Sequence, residues 1–269
     1  MQKAGFIQNL PFSEYLQIDA ISSHGLMDVL QSPAHYKARK EEIRVTTPAM
    51  EFGTLLHSAI LEPQRFLDSY IVQPDFGDLR TKAGKEAKLA WQDTLKDYNI
   101  VVTAENAQKI VTIINKVHQH PVAANLFKNG ASEVVGRWQD TRGVDCKMRA
   151  DFIKDGIIID LKTTRNAHPS SFQRDAYNFK YDVQTAFYLE GFEIITGEIG
   201  QYIIVAVESE SPHEISVFAP DQAFIEIGQK RFRKALDLYA DCKARNVWPG
   251  YSQEIQSLAL PNYAFFNEN

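Results

Sequence analysis

Two cysteines, Cys146 and Cys242, are the only thiols in 269 residues, which excludes a disulfide framework and a four-cysteine zinc or iron–sulfur site. A reduced, cytosolic setting is the simplest expectation. The sequence also lacks an apolar run long enough to span a bilayer. Its opening, MQKAGFIQNLPFSEYLQIDA, has no continuous apolar core of the kind a secretory leader needs. No membrane partner is expected. There is no internal repeat, low-complexity tract or Pro/Gly-rich linker, so one domain over residues 1–269 is expected. Positive charge is short as well: Lys+Arg 29 against Asp+Glu 34 leaves a net −5. That removes any global attraction to a polyanion, and contacts with nucleic acid would have to come from local basic patches beside an acidic site.

What is present is a composition 44% hydrophobic and long enough to bury a substantial core. Residues 1–125 read as mainly helical. Short amphipathic pieces are broken at Ser32-Pro33 and Thr47-Pro48, and a helix-like MEFGTLLHSAILEP containing His57 precedes Pro63. The polar interval FGDLRTKAGKEAKLAWQDTL carries Arg80, Lys82, Lys85 and Lys88 on a loop running into a helix. A further helix is expected after Thr103, a plausible N-cap, as far as Pro121.

From 126 to 245 the period changes. SEVVGRWQ, DCKMRADFI and GIIIDLKTT alternate as strands, with Thr-Arg-Gly and Lys-Asp-Gly as turns, so an antiparallel meander is predicted. A helix (YDVQTAFYLEGFEIIT), two strands (QYIIVAVES, HEISVFAP) and a helix from Pro220 to about Arg245 follow. Residues 246–269 read as a tail. The order implies an α/β sandwich with a mixed sheet flanked by helices.

The two-residue period of a strand puts Asp160 and Lys162 on one face, and Lys147, Arg149 and Asp151 on one face of the strand before it. Pairing of those strands would bring Asp151 opposite Asp160. Two carboxylates so close repel each other, and the arrangement becomes favourable when a hard divalent cation such as Mg²⁺ takes their oxygens. Such an ion polarises a phosphodiester, and Lys162 would orient or activate the attacking water and stabilise developing charge. A bare D-x-K is common and most often a solvated strand end. The apolar strand before it, Thr163-Thr164 after it and the second aspartate next door add weight.

His57 fits either a structural histidine of a core helix or a metal ligand. Glu133 has a similar dual reading, structural or near the site, and the second is slightly favoured. Gln184 and Tyr188, four apart on a helix, project from one face and could meet one phosphate, or serve as helix surface and core. Arg80, Lys82 and Lys85 fit a phosphate-binding run or a solvated face.

G-T-L-L-H at Gly53 to His57, R-A-D at Arg149 to Asp151 and I-D-L-K-T-T at Ile159 to Thr164 together resemble the exonuclease VIII (RecE-type) branch of the RecB-like PD-(D/E)XK nucleases. Gln184-x-x-x-Tyr188 fits the Q-x-x-x-Y element of RecB-like enzymes, and R-T-K-A-G-K and the closing L-A-L-P-N-Y-A also look like this branch, so the similarity runs from about Ile18 onward. Met148 stands where the broader RecB-like pattern has glycine, and the second acid is Asp160 where many members have glutamate.

The resemblance implies a restriction-endonuclease-like core. It also implies an Mg²⁺-dependent exonuclease, with Mn²⁺ able to substitute, that degrades linear double-stranded DNA 5′ to 3′ and leaves 3′ overhangs for recombination; the alternatives are another PD-(D/E)XK endonuclease or single-strand nuclease, or a non-catalytic DNA-binding protein with this fold. By matching position His57, Asp151, Asp160 and the Leu161 carbonyl would hold metal, Lys162 would be the catalytic lysine, and Gln184 would join the catalytic set. Arg80, Lys82, Lys85, Arg149, Thr163, Thr164 and Tyr188 would meet DNA. Such enzymes are often phage- or prophage-encoded, act in the bacterial cytoplasm, form ring-like homo-oligomers and work with a single-strand annealing protein.

Overall fold

The computed structural model describes residues 4–42, 46–96 and 98–260. The Pro261–Ala264 half of the closing L-A-L-P-N-Y-A lies outside them. The chain begins with β1 (Gly5–Ile7), α1 (Phe12–Gln17), α2 (Ser23–Gln31), α3 (Pro33–Glu41), α4 (Pro48–Leu61) and α5 (Pro63–Ser69). There follow β2 (Tyr70–Val72), α6 (Lys82–Gln92), β3 (Ile100–Val102), α7 (Ala104–Gln119) and α8 (Ala123–Leu126). The remainder is β4 (Ala131–Gln139), β5 (Asp145–Lys154), β6 (Ile157–Thr164), α9 (Pro169–Asn178), α10 (Tyr181–Thr196), β7 (Gln201–Glu208), β8 (Ile215–Phe218) and α11 (Gln222–Arg245).

The prolines that interrupt the first fifty residues mark helix starts. Ser32 and Thr47 are N-caps whose hydroxyls accept from His35 N and Met50 N, each followed by proline in the first turn, where the missing N–H costs nothing. Thr81 and Thr103 cap α6 and α7 in the same way.

Six strands form one mixed sheet in the order β1-β4-β5-β6-β7-β8. The meander β4-β5-β6 is antiparallel, β7 lies parallel to β6, and β8 is an antiparallel edge. Asp155 and Gly156 both take positive φ, 48° and 78°, the two-residue turn that a D-G pair favours. Strand β6 is buried on both faces, which accounts for its unbroken isoleucines. One core joins α2, α10 and α11 to the sheet through Leu26, Phe187, Phe232 and Ile158. The other joins α4 and α7 through Leu56, Ile113, Ile159 and Val205. The expected α/β sandwich is therefore correct, with additions. Edge strand β1, the short helix α9 and the separate parallel pair β2–β3 were not foreseen.

Candidate active site

The site lies where two strands part. Pairing of β5 with β6 runs from Lys154↔Ile157 to Phe152↔Ile159, and one step further would set Asp151 against Asp160. The backbone ladder stops there: the Asp151 carboxylate accepts the Leu161 N–H at 2.8 Å in its place. On the other side, the β4–β5 register continues unshifted past Glu133, whose neighbours Ser132 and Val134 pair with Phe152 and Ala150. Glu133 therefore stands level with Asp151. Three carboxylates, Glu133, Asp151 and Asp160, form one row across three strands.

Glu133 itself is left-handed, φ 52°, inside a strand. For a residue with a Cβ this costs on the order of 1 kcal/mol and tends to persist only where the surroundings fix it. Ligand atoms of His57, Glu133 and Asp151 all lie within 4.8 Å of one another, with His57 Nδ1 3.7 Å from Asp151 Oδ2. The imidazole arrives from α4, anchored by Phe52 and Leu56 in the core.

Asp160 is 2% exposed and belongs to a second, adjoining group. Lys162 Nζ donates to its Oδ1 at 2.9 Å and lies 2.7 Å from its Oδ2. Gln184 Nε2 donates to Oδ1 at 2.9 Å, while Gln184 Oε1 accepts from Lys162 at 3.1 Å. One amide thus orients both the acid and the amine. The Tyr181 ring lies under the ammonium, 4.8 Å from Nζ to centroid, a contact that helps keep it charged.

The electrostatics follow from burying like charges together. Burial, with the Asp160 charge next, pushes Asp151 up to about 7. Burial and Asp151 raise Glu133, against the pull of Arg149. Burial and the Lys162 charge keep His57 below the ordinary histidine value, so it stays neutral. Burial alone would discharge Lys162, but Asp160 and Asp151 outweigh it and hold its pKa above the ordinary lysine value.

These residues suit a divalent cation. The donors are carboxylate oxygens and a neutral imidazole, the carboxylates are mutually destabilised, and Asp160 Oδ2 is buried without a hydrogen bond of good geometry. Of the expected ligand set, His57 and Asp151 lie together, and the Leu161 backbone hydrogen-bonds the imidazole. Glu133 joins His57 and Asp151, while Asp160 turns toward Lys162 and Gln184.

Of the residues expected at DNA, Arg149, Thr163, Thr164 and Tyr188 line the same cavity of about 1700 Å³ as the acids. Arg149 pairs with Glu133. Tyr188 is buried, and its hydroxyl donates to the Arg149 carbonyl at 3.0 Å, so it braces β5. Arg80, Lys82 and Lys85 are exposed at the start of α6 and take no part in the lining; Arg80 is held by Asp78 at 2.8 Å. Tyr181 was missed, although its place three residues before Gln184 on one helix puts it on the same side.

A family model described as a PDDEXK-like domain of unknown function (DUF3799) matches residues 22–261. No curated protein matches. Among solved structures, one from Eubacterium rectale, provisionally described as an exonuclease, aligns with a TM-score of 0.65 at 13% identity, covering 98% of this chain and 100% of its own. A phage-related exonuclease from Haemophilus somnus 129PT aligns at 0.34 and 16% identity, over 64% of this chain and 92% of its own, too weakly to carry an argument. The first alignment shows a shared fold.

Proposed function

The chain belongs to the DUF3799 family of PDDEXK-like domains, and from that premise we propose that it is a divalent-metal-dependent exodeoxyribonuclease of the RecE type. The carrying observation is the row Glu133, Asp151 and Asp160 joined to Lys162 by hydrogen bonds through Gln184. His57, Glu133 and Asp151, with Asp160 beside them, would hold the cation, Mg²⁺ or in its place Mn²⁺. When bound, the ion supplies Lewis-acid polarisation of a phosphodiester and lowers the pKa of water.

The chain's own groups account for the rest. Lys162, kept cationic by its two acids, is a donor rather than a base: it orients water and offsets charge developing on the phosphate. Gln184 is a positioning residue that fixes the Asp160–Lys162 pair. Arg149 supplies a cation next to the acids for a phosphate.

The motif resemblance supports the finer statements: linear duplex as substrate, 5′ to 3′ direction, 3′ overhangs used in phage-type recombination, a ring-like oligomer, a single-strand annealing partner, and a bacterial cytoplasmic setting. Among the described residues no helix is long and apolar enough to cross a membrane. The exonuclease description of the Eubacterium rectale relative is in keeping with this reading.

Linear duplex labelled at either end, incubated with Mg²⁺, tests it. Early release of the 5′ label, resistance of covalently closed circles, and loss of about 100-fold or more in Lys162→Ala are expected. Cleavage of closed circles would make the protein an endonuclease, and an active Lys162→Ala would remove the site assignment.

A further inference from the structure

Two phenylalanines at the cavity remain exposed where burial would be expected, one resting on a cation of the site and the other on a ring that covers one. Phe12 on α1 is 54% exposed and Phe179 at the end of α9 is 59% exposed. Each lines the cavity that holds the acids. The Phe12 ring covers the Arg149 guanidinium, 5.0 Å to centroid, and Arg149 is paired with Glu133. Phe12 also stacks on Tyr15, 6.0 Å between centroids and 21° between planes. Tyr15 in turn lies over Lys147 Nζ at 4.6 Å. That ammonium donates to the Tyr15 and Ile18 carbonyls at 2.9 and 2.8 Å, tying α1 to strand β5.

Phe179 repeats the pattern on the other side. It stacks on Tyr181 at 5.9 Å and 27°, and Tyr181 covers Lys162. Phe12 therefore rests directly on the cation of the Glu133–Asp151 pole, Arg149, and Phe179 on the ring that covers the cation of the Lys162–Asp160 pole.

A lone exposed aromatic needs no explanation. A pair stacked on neighbouring rings at both poles of one acidic site is a different matter, because aromatic rings interleaved with cations in a groove are what unpaired nucleic acid binds. A base inside a duplex has both faces covered by its neighbours, so a ring face can be offered only to a base that has left the stack.

We propose that Phe12 and Phe179 are stacking platforms for unpaired nucleobases flanking the scissile phosphate, so that the strand lies in the cavity single-stranded. This rests on the nuclease reading and adds to it the state of the substrate. The cavity, about 1700 Å³, exceeds the several hundred Å³ of an ordinary small-molecule pocket and has room for more than one nucleotide.

Steady-state cleavage of blunt duplex and of duplex with a few unpaired 5′ nucleotides, by wild type, Phe12→Ala, Phe12→Trp and Phe179→Ala, tests the proposal. Either alanine is expected to lower kcat/KM on blunt ends by about 10-fold or more. The loss should be smaller on frayed ends, where unpairing is already done, and Phe12→Trp should restore the rate. A merely structural role would depress both substrates equally and would not be rescued. A 2-aminopurine at the end of a labelled oligonucleotide gives an independent readout, since stacking quenches it. Quenching by wild type that is lost in both alanine variants supports the platforms. Equal kinetics and equal quenching in all four proteins overturn them. Wild type that binds and quenches yet cleaves nothing would overturn the nuclease reading while leaving the platforms standing.

Discussion

Asp151 is the residue on which the charge balance of the site turns. Burial and Asp160 hold its carboxyl at about 7, so between the ordinary carboxyl range and neutrality the folded chain keeps a proton that the unfolded chain has released. By linkage, this group's contribution to stability is present at low pH and lost as pH rises to about 7, with no further change above. Glu133, also raised, acts in the same direction. His57, lowered, acts oppositely below its ordinary value, so the metal-free protein blurs the effect and metal binding reports it more cleanly. A cation must displace the Asp151 proton, whereas His57, lowered from its ordinary value, is neutral at pH 7. The rise in Tm caused by saturating Mg²⁺ should therefore be small near pH 5.5, grow through about 7 and level off by about 8. A rise independent of pH across that range, measured by differential scanning fluorimetry, would mean that Asp151 does not hold the ion.

At the scale of elements, α4 is what brings His57 to the acids, and its start is fixed locally. Thr47 Oγ1 accepts from Met50 N at 3.3 Å and Pro48 opens the first turn. Thr47→Ala should cost about 1 kcal/mol, lowering Tm by about 2–4 °C, whereas Thr47→Ser should leave it unchanged. Matching melting curves for all three proteins would count against the cap.

Such signals are legible in sequence because they are local. Helix α10 spans the residues that the period of YDVQTAFYLEGFEIIT indicates, Tyr181–Thr196, and β6 with its D-G turn follows from a β-branched run and a turn pair. Strands β1, β2 and β3 have three residues each, too few to show a period, and they exist because distant strands satisfy them. The site divides in the same way. Asp160 and Lys162 share a face by strand geometry, and Asp151 meets Asp160 through one short hairpin. The left-handed turn of Glu133, the rings of Phe12 and Tyr15 on Arg149 and Lys147, and the exclusion of Arg80, Lys82 and Lys85 from the cavity all depend on contacts far apart in the chain, which no local pattern encodes.

At the scale of the whole molecule, the site depends on how closely its flanking helices approach the sheet, and two helical glycines separate that effect from helix propensity. Alanine is favoured over glycine inside a helix by about 1 kcal/mol, so on propensity alone each substitution would stabilise. At Gly53 in α4 a Cβ would meet only Thr163 Oγ1, at 3.9 Å, an ordinary contact, and Gly53→Ala should raise Tm. At Gly228 in α11 a Cβ would lie 2.0 Å from the Asp182 carbonyl oxygen and 3.0 Å from Ala186 Cβ. Backbone cannot yield there as a flexible side chain would, so α11 must be pushed off α10. Overpacking of this kind costs about 3 kcal/mol, more than the propensity gain, and Gly228→Ala should melt lower. The strain is transmitted to the site, because α10, which α11 presses against, carries Gln184 and Tyr181 and is tied to α11 by Arg231–Asp182 at 2.9 Å. Gly228→Ala should therefore cleave DNA more slowly even well below its Tm, while Gly53→Ala melts higher. Gly228→Ala melting at or above wild type, with an unaltered rate, would show that the close crossing of α10 and α11 does not hold the site in place.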